Sequence, residues 1–164
     1  MRVISRLGGL RTAVTLMTLL TAIYLLLVAV NNTTDYPTNE AFVIHVLAMD
    51  TTFGSPNTMW RAITAPWAAT AAYIGIIVWE ALTALVLATA TVQFFRRQDT
   101  VARQWATAGW VMMLALFGLG FIVIGGEWFL MWQSQQWNGL QAALQNVIIA
   151  SVGLVLAHLP RQTR

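Results

Sequence analysis

Four apolar runs set the limits on what this chain can become. They cover about residues 12–30, 67–95, 104–126 and 141–159, and each holds at most one Asp, Glu, Arg or His. About 20 such residues are needed to cross a hydrocarbon layer roughly 30 Å thick. Four crossings and their loops therefore use up all 164 residues, as one membrane domain over 1–164. A lone apolar segment in lipid can satisfy its own backbone only as a helix. The expected fold is all-α: an integral membrane four-helix bundle with a long loop at 31–65. Only 9 % of the residues are charged, well under the roughly 25 % of a soluble domain.

Charge placement orients the spans. All nine basic residues are arginine. Arg2, Arg6, Arg11, Arg96, Arg97, Arg103, Arg161 and Arg164 fall on one side, and Arg61 alone falls on the other, with Asp35, Glu40 and Asp50. The excess of arginine on cytoplasmic loops puts both termini in the cytoplasm and the 31–65 loop outside. The same placement explains the net charge of +3 without a nucleic-acid partner. Arg2, Arg6 and Arg11 before the first run resemble the start of a signal peptide. The run itself, Thr12 to Val30, is longer than the 7–15 residues of a signal core, so it reads as an uncleaved span. With no cysteine, disulfides, thiolate metal sites, iron–sulfur clusters and thiol catalysis are excluded.

The outer loop carries two further helical signals. Asn39-Glu40 can open a short helix over Ala41 to Met49, too short to span and suited to the interface. Ser55-Pro56 has the form of an N-cap with proline at the first helical position, predicting a second short helix through Met59 to Ala62. Pro66 opens the second span in the same way. Small residues at four-residue spacing (Ala68/Ala72, Ala71/Gly75, Ala84/Ala88, Gly153/Ala157) and the glycines Gly118 and Gly120 allow close helix approach. They serve packing within the bundle or a face for a second copy.

Glu80 is the residue that an apolar span has to justify. A charged side chain at mid-span costs about 2.5–3.5 kcal/mol on insertion scales and marks function by default. Tyr73, Thr83, Leu87 and Thr91 lie on its helical face. Three readings stand side by side: a protonated Glu80 hydrogen-bonded to a neighbouring helix, a proton or ion site, and contact with a partner subunit. Helix rise places Glu80 roughly 20 Å below the outer end of its span, apart from Glu127. The two carboxylates are expected to be separate sites.

The connector between the last two spans, Gly125 to Gly139, concentrates the rest of the polar chemistry. Gly125 and Gly126 are expected to end or bend the third span, with continuation of the helix through Met131 as the alternative. Trp128, Trp132 and Trp137 suit an aromatic belt with Trp67, and Gln133 and Asn138 supply amides. Arg61 is expected to pair with Glu127 or Asp50 and so tie the loop to the bundle; Glu127, Arg61 and Trp128 lining an outer pocket is the alternative. His45 and His158 fall on opposite sides, which weakens a shared haem. A metal site would have to draw on His45, Asp50 and Glu127.

Three stretches resemble a bacterial family of predicted small integral membrane proteins of unknown function. They are NEAFVIHVLAMDTTFGSPNTMWRAI (Asn39 to Ile63), YIGIIVWEALTA (Tyr73 to Ala84) and GFIVIGGEWFLMWQSQQWNG (Gly120 to Gly139). The resemblance runs over nearly the whole chain and implies a four-span inner-membrane protein. Its motifs include the positions held here by His45, Asp50, Trp60, Arg61, Glu80, Glu127, Trp128, Trp132, Gln133, Trp137 and Asn138. It supplies no reaction. The expectation is a non-enzymatic accessory or assembly subunit without a cofactor, surrounded by lipid and packed against another membrane protein or a second copy. A proton-coupled or small-solute transporter using Glu80 is the alternative, and a quinone- or haem-associated redox subunit is a weaker one.

Overall fold

The computed structural model describes residues 9–160. Every regular element among them is helical: α1 (Leu10–Thr34), α2 (Tyr36–Ala48), a 3-10 turn (Met59–Arg61), α3 (Pro66–Phe95) and α4 (Asp99–Met113), followed by a π-helix (Leu114–Trp128), a second 3-10 turn (Met131–Gln133) and α5 (Leu140–His158). Four helices are long and apolar enough to cross a membrane: α1, α3, α4 with its π continuation, and α5. The chain is a four-helix membrane bundle. Helix α1 packs on α3, α3 on α4, and α5 on both α4 and the π-helix.

Glycine lets these helices close up. A Cβ on Gly109 would stand 2.4 Å from the Leu87 side chain, and one on Gly153 would stand 2.4 Å from the Trp110 indole. Trp110, Phe94, Leu87, Met113 and Leu25 fill the resulting core. The Gly153/Ala157 pair therefore works inside the bundle, whereas Gly75 faces open space. Leu20, Leu27, Leu85 and Val155 point outward, as side chains do when lipid is the solvent.

The ends of the bundle differ. At one end Arg11 pairs with Asp99 (2.9 Å) and donates to the Phe94 carbonyl, while Arg103 donates to the carbonyls of Ala157 and Leu159 (2.5 and 3.0 Å). Those last two bonds satisfy carbonyls that a helix end leaves open. We call this the termini side. Arg2, Arg6, Arg161 and Arg164 lie outside the described residues. The opposite end, the cap side, is built from α2, the loop to α3 and the 129–139 connector.

Several boundaries depart from the sequence expectations, each for a local reason. Helix α1 continues one turn beyond Val30, and there the Thr33 and Thr34 hydroxyls are satisfied within the helix by the carbonyls of Ala29 (2.7 Å) and Val30 (2.9 Å). Helix α2 opens at Tyr36 with Pro37 in its first turn, ahead of Asn39-Glu40, and closes on Met49 in the left-handed region (φ 53°). The expected second short helix is only the 3-10 turn Met59–Arg61. Ser55 supports it through its backbone carbonyl, which accepts from Thr58 and Met59 (3.0 and 3.1 Å), and not as a side-chain cap. The third span starts at Asp99 instead of Gln104 and runs to Trp128.

Gly125 and Gly126 do not end that span. The Phe129 amide bonds five residues back to Ile124 (3.0 Å), so the wider π winding carries the helix past both glycines. Their purpose is close approach. A Cβ on Gly126 would meet Leu140 at 2.8 Å, and one on Gly125 would touch Met131 at 3.5 Å. The connector folds back onto the helix it has just left.

Candidate functional site

Polar side chains at the cap side form two groups, which meet only through α2. The first is a seam centred on Glu80, where α1, α2 and α3 converge. Glu80 is 3 % exposed, and Asn32 Nδ2 donates to its Oε2 at 2.7 Å. Tyr73, two turns up α3, donates its hydroxyl to the Asn32 carbonyl (2.7 Å). Its ring meets Tyr36 edge-on at 4.8 Å. Tyr36 and Thr70 both donate to Glu40 Oε1, at 3.3 and 2.7 Å. Burial, and then the neighbouring Glu40, pushes the Tyr36 phenol above its ordinary range, so it remains a donor.

Side-chain direction explains why Asn32 and Glu80 meet. Helical side chains lean toward the helix N-terminus, and α1 and α3 run antiparallel, so Asn32 leans inward and Glu80 leans outward. Glu80 is 14 residues from Phe94, which is about 21 Å of helix. With Phe94 near one edge of a layer roughly 30 Å thick, Glu80 lies about 10 Å below the cap-side edge. The 30-residue α3 is longer than a span requires, and its first turns stand beside α2 above the hydrocarbon. Glu80 is thus shallower than the helix length alone suggests. Thr83, Leu87 and Thr91 continue its buried face downward, the two threonines bonding to their own helix carbonyls (2.7 and 2.9 Å).

The second group stitches the connector to the first loop. His45 Nδ1 meets Asp50 Oδ2 at 2.8 Å, and the His45 ring stacks on Trp137 at 4.6 Å. Thr51 donates to the Ser134 hydroxyl oxygen, which also accepts the Trp137 amide (both 2.9 Å). Gln133 Oε1 accepts the Phe53 amide (2.9 Å), and the Asn138 side-chain oxygen accepts the Leu140 amide (3.1 Å). Phe42 presses on Gly139, where a Cβ would stand 2.9 Å away. These ties make one cap from segments about 80 residues apart. On its surface Phe53 packs edge-on against Trp132, and Trp60 against Trp128.

Arg61 takes a different place from the one expected of it. Asp50 is engaged with His45, and Glu127 is exposed with no ion pair among the described residues. The Arg61 guanidinium lies 4.9 Å from the Trp128 ring and 5.5 Å from the Trp60 ring, and donates to the Trp128 carbonyl (3.4 Å). Two indoles hold it through their negative faces, and its Nε has no acceptor. The loop is anchored by cation–π contact, not by a salt bridge. Among the described residues no three His, Cys, Asp or Glu side chains converge, and Glu127 does not join His45 and Asp50. His158 is at the termini side with Thr107 (3.1 Å).

Asn32, Tyr36, Glu40 and Thr70 are members of the seam that the sequence reading did not place there. The missing signal for Asn32 was the buried stripe Val14, Thr18, Thr21, Leu25, Ala29. Its spacing of three and four reaches residue 32 if the helix is continued one turn.

The family of this chain follows from comparison with known proteins. Residues 10–160 match the model of a family described as predicted small integral membrane proteins (DUF2165), and the chain belongs to that family. No curated protein and no solved structure matches it.

Proposed function

We propose that the chain is a non-enzymatic accessory or assembly subunit of a bacterial inner membrane, and that it acts by presenting its cap to another membrane protein. The observation that carries this reading is the combination of a cross-tied cap with large aromatic side chains left outside it. Phe53, Trp60 and Trp67 are 74 %, 70 % and 75 % exposed, on a framework fixed by the His45, Thr51, Ser134 and Gln133 contacts. Rigid aromatic anchors concentrate binding energy at protein interfaces. The arginines favour cytoplasmic termini and an external cap: Arg11, Arg96, Arg97 and Arg103 belong to the termini side and Arg61 to the cap.

Tryptophan also favours the lipid interface by itself, so the test has to separate protein from lipid. A photo-crosslinking amino acid at Phe53 or Trp60, compared with one at lipid-facing Leu85, does so in intact cells. A discrete protein adduct from the two cap positions, absent from Leu85, is the expected result. Lipid adducts alone at all three positions would reject the reading.

A second reading draws on a separate observation. Buried Glu80 is bonded to half-buried Asn32, which Tyr73 also contacts, and the Tyr73 ring meets Tyr36 beside Glu40; a buried carboxyl group with polar neighbours toward the cap side suits proton or small-solute coupling. Proton flux in liposomes that is lost in Glu80→Gln supports it; equal leak in both proteins rejects it. A quinone- or haem-associated role gains nothing from His45 and His158, which occupy opposite ends of the bundle.

A further inference from the structure

Where α4 passes into the π-helix, the third span parts from α3. Trp79 marks the fork, its indole N–H donating to the Met112 carbonyl (2.9 Å) one residue before α4 ends. Above it, a groove of about 330 Å³ runs between the two helices past Ala72, Gly75 and Leu119. It continues into a cavity of about 160 Å³ beneath α2, lined by Phe42, Leu47, Phe121 and Met131. Ala72, Ile76, Leu116, Gly120 and Ile124 line both spaces, so they form one cleft. The walls are almost wholly apolar, and Gly75 borders space in which a Cβ would touch nothing within 4 Å.

The cleft reaches the cap, where Phe129 and Met131 line it just past the end of the π-helix. Arg61 is tied to that end of the π-helix. It lies five residues before Pro66 and holds the Trp128 carbonyl, and the Ile63 amide two residues on is bonded to the carbonyl of Leu47, a cavity residue. Between its two indoles the guanidinium has no carboxylate partner among the described residues. We infer that this cleft is a binding site for one anionic phospholipid, with an acyl chain between α3 and the π-helix and the phosphate on Arg61. The inference goes beyond the proposed role of the cap and holds whether or not the cap meets a partner protein.

The energetics make both halves necessary. An acyl chain gains no hydrophobic free energy by moving from bilayer to cleft, because lipid tails are as apolar as the walls. Shape alone gives weak preference. A guanidinium facing phosphate supplies charge-assisted, directional bonds, and the indoles beside it are side chains that settle at headgroup depth. Selectivity therefore comes from the phosphate and registration from the chain.

The test uses the full-length protein purified in detergent, delipidated, and incubated with dioleoylphosphatidylglycerol, dioleoylglycerol or inorganic phosphate. Phospholipid retained per chain after size exclusion is measured by mass spectrometry, together with thermal stability. The expected result is about one phosphatidylglycerol per chain and a raised melting temperature, with no comparable effect from dioleoylglycerol or phosphate. Gly75→Leu fills the groove where nothing else is touched, and Arg61→Gln removes the charge. Each is expected to lower retention about tenfold, the ratio expected for losing one charge-assisted contact or its equivalent in packing. Because Arg61 also anchors the cap, Gly75→Leu carries the decision if Arg61→Gln misfolds. Unchanged retention in a monodisperse Gly75→Leu protein would overturn the inference. Equal retention of dioleoylglycerol would reduce the site to unselective tail contact, and equal protection by phosphate to an anion site; either also overturns it.

Discussion

The Asn32–Glu80 hydrogen bond makes a quantitative demand on stability. It is 2.7 Å long, joins α1 to α3, and serves a carboxyl group that is 3 % exposed. Interhelical side-chain bonds in membrane proteins average about 0.6 kcal/mol and reach about 1.7. A short bond to a buried carboxyl group belongs near the upper end. Asn32→Leu removes the donor and leaves Glu80 Oε2 unpaired, a loss of about 1–3 kcal/mol. Glu80→Leu leaves only half-buried Asn32 without its partner and is expected to cost about 1 kcal/mol. The double variant replaces a polar pair by an apolar one, so it should cost less than the sum of the singles, with a coupling of about 1.5 kcal/mol. Unfolding in mixed micelles by titration with a denaturing detergent measures all four corners of the cycle. Additivity within about 0.5 kcal/mol would refute the argument, since the two groups would then not be supporting one another.

Three further outcomes follow from local geometry. Gly153→Val drives a side chain into Trp110, whose ring is fully buried 2.4 Å from the added Cβ, and should destabilise by about 1–3 kcal/mol or more. Gly75→Ala, with open space around it, should be neutral or stabilising by up to about 1 kcal/mol; the same unfolding titration checks both. Ser134→Ala removes the acceptor shared by Thr51 and Trp137. Hydrogen exchange should then quicken at 49–55 and 134–137 while the four spans keep their protection.

Run length and arginine placement made the four spans and their antiparallel order legible, because lipid leaves a backbone few options. Glu80 stood out for the same reason, and the residues that share its buried face of α3 followed from helical spacing. Asn32 did not, because an Asn-Asn-Thr-Thr string is a plausible loop until Thr33 and Thr34 are seen bonding back into the helix. The Gly125-Gly126 pair left a helix end, a bend or continuation open, and its close contact with Leu140 and Met131 across the turn is something no local pattern encodes. Arg61 shows the same limit. Charge counting offered it Glu127 and Asp50, whereas the fold offered two indole faces and gave Asp50 to His45. The cleft was equally hidden, since it lies between α3 and the third span where that span passes into the π-helix.

The proposed role of this protein is to hold a partner membrane protein against its cap. The most direct measurement is the mass of the particle released from native membranes by a mild detergent and read by native mass spectrometry. The expected particle is a stoichiometric assembly containing a second, different membrane protein, which dissociates when Phe53 and Trp60 are both replaced by serine but not when Leu85 is. A particle whose mass is only a whole multiple of this chain, with or without bound lipid, would contradict it.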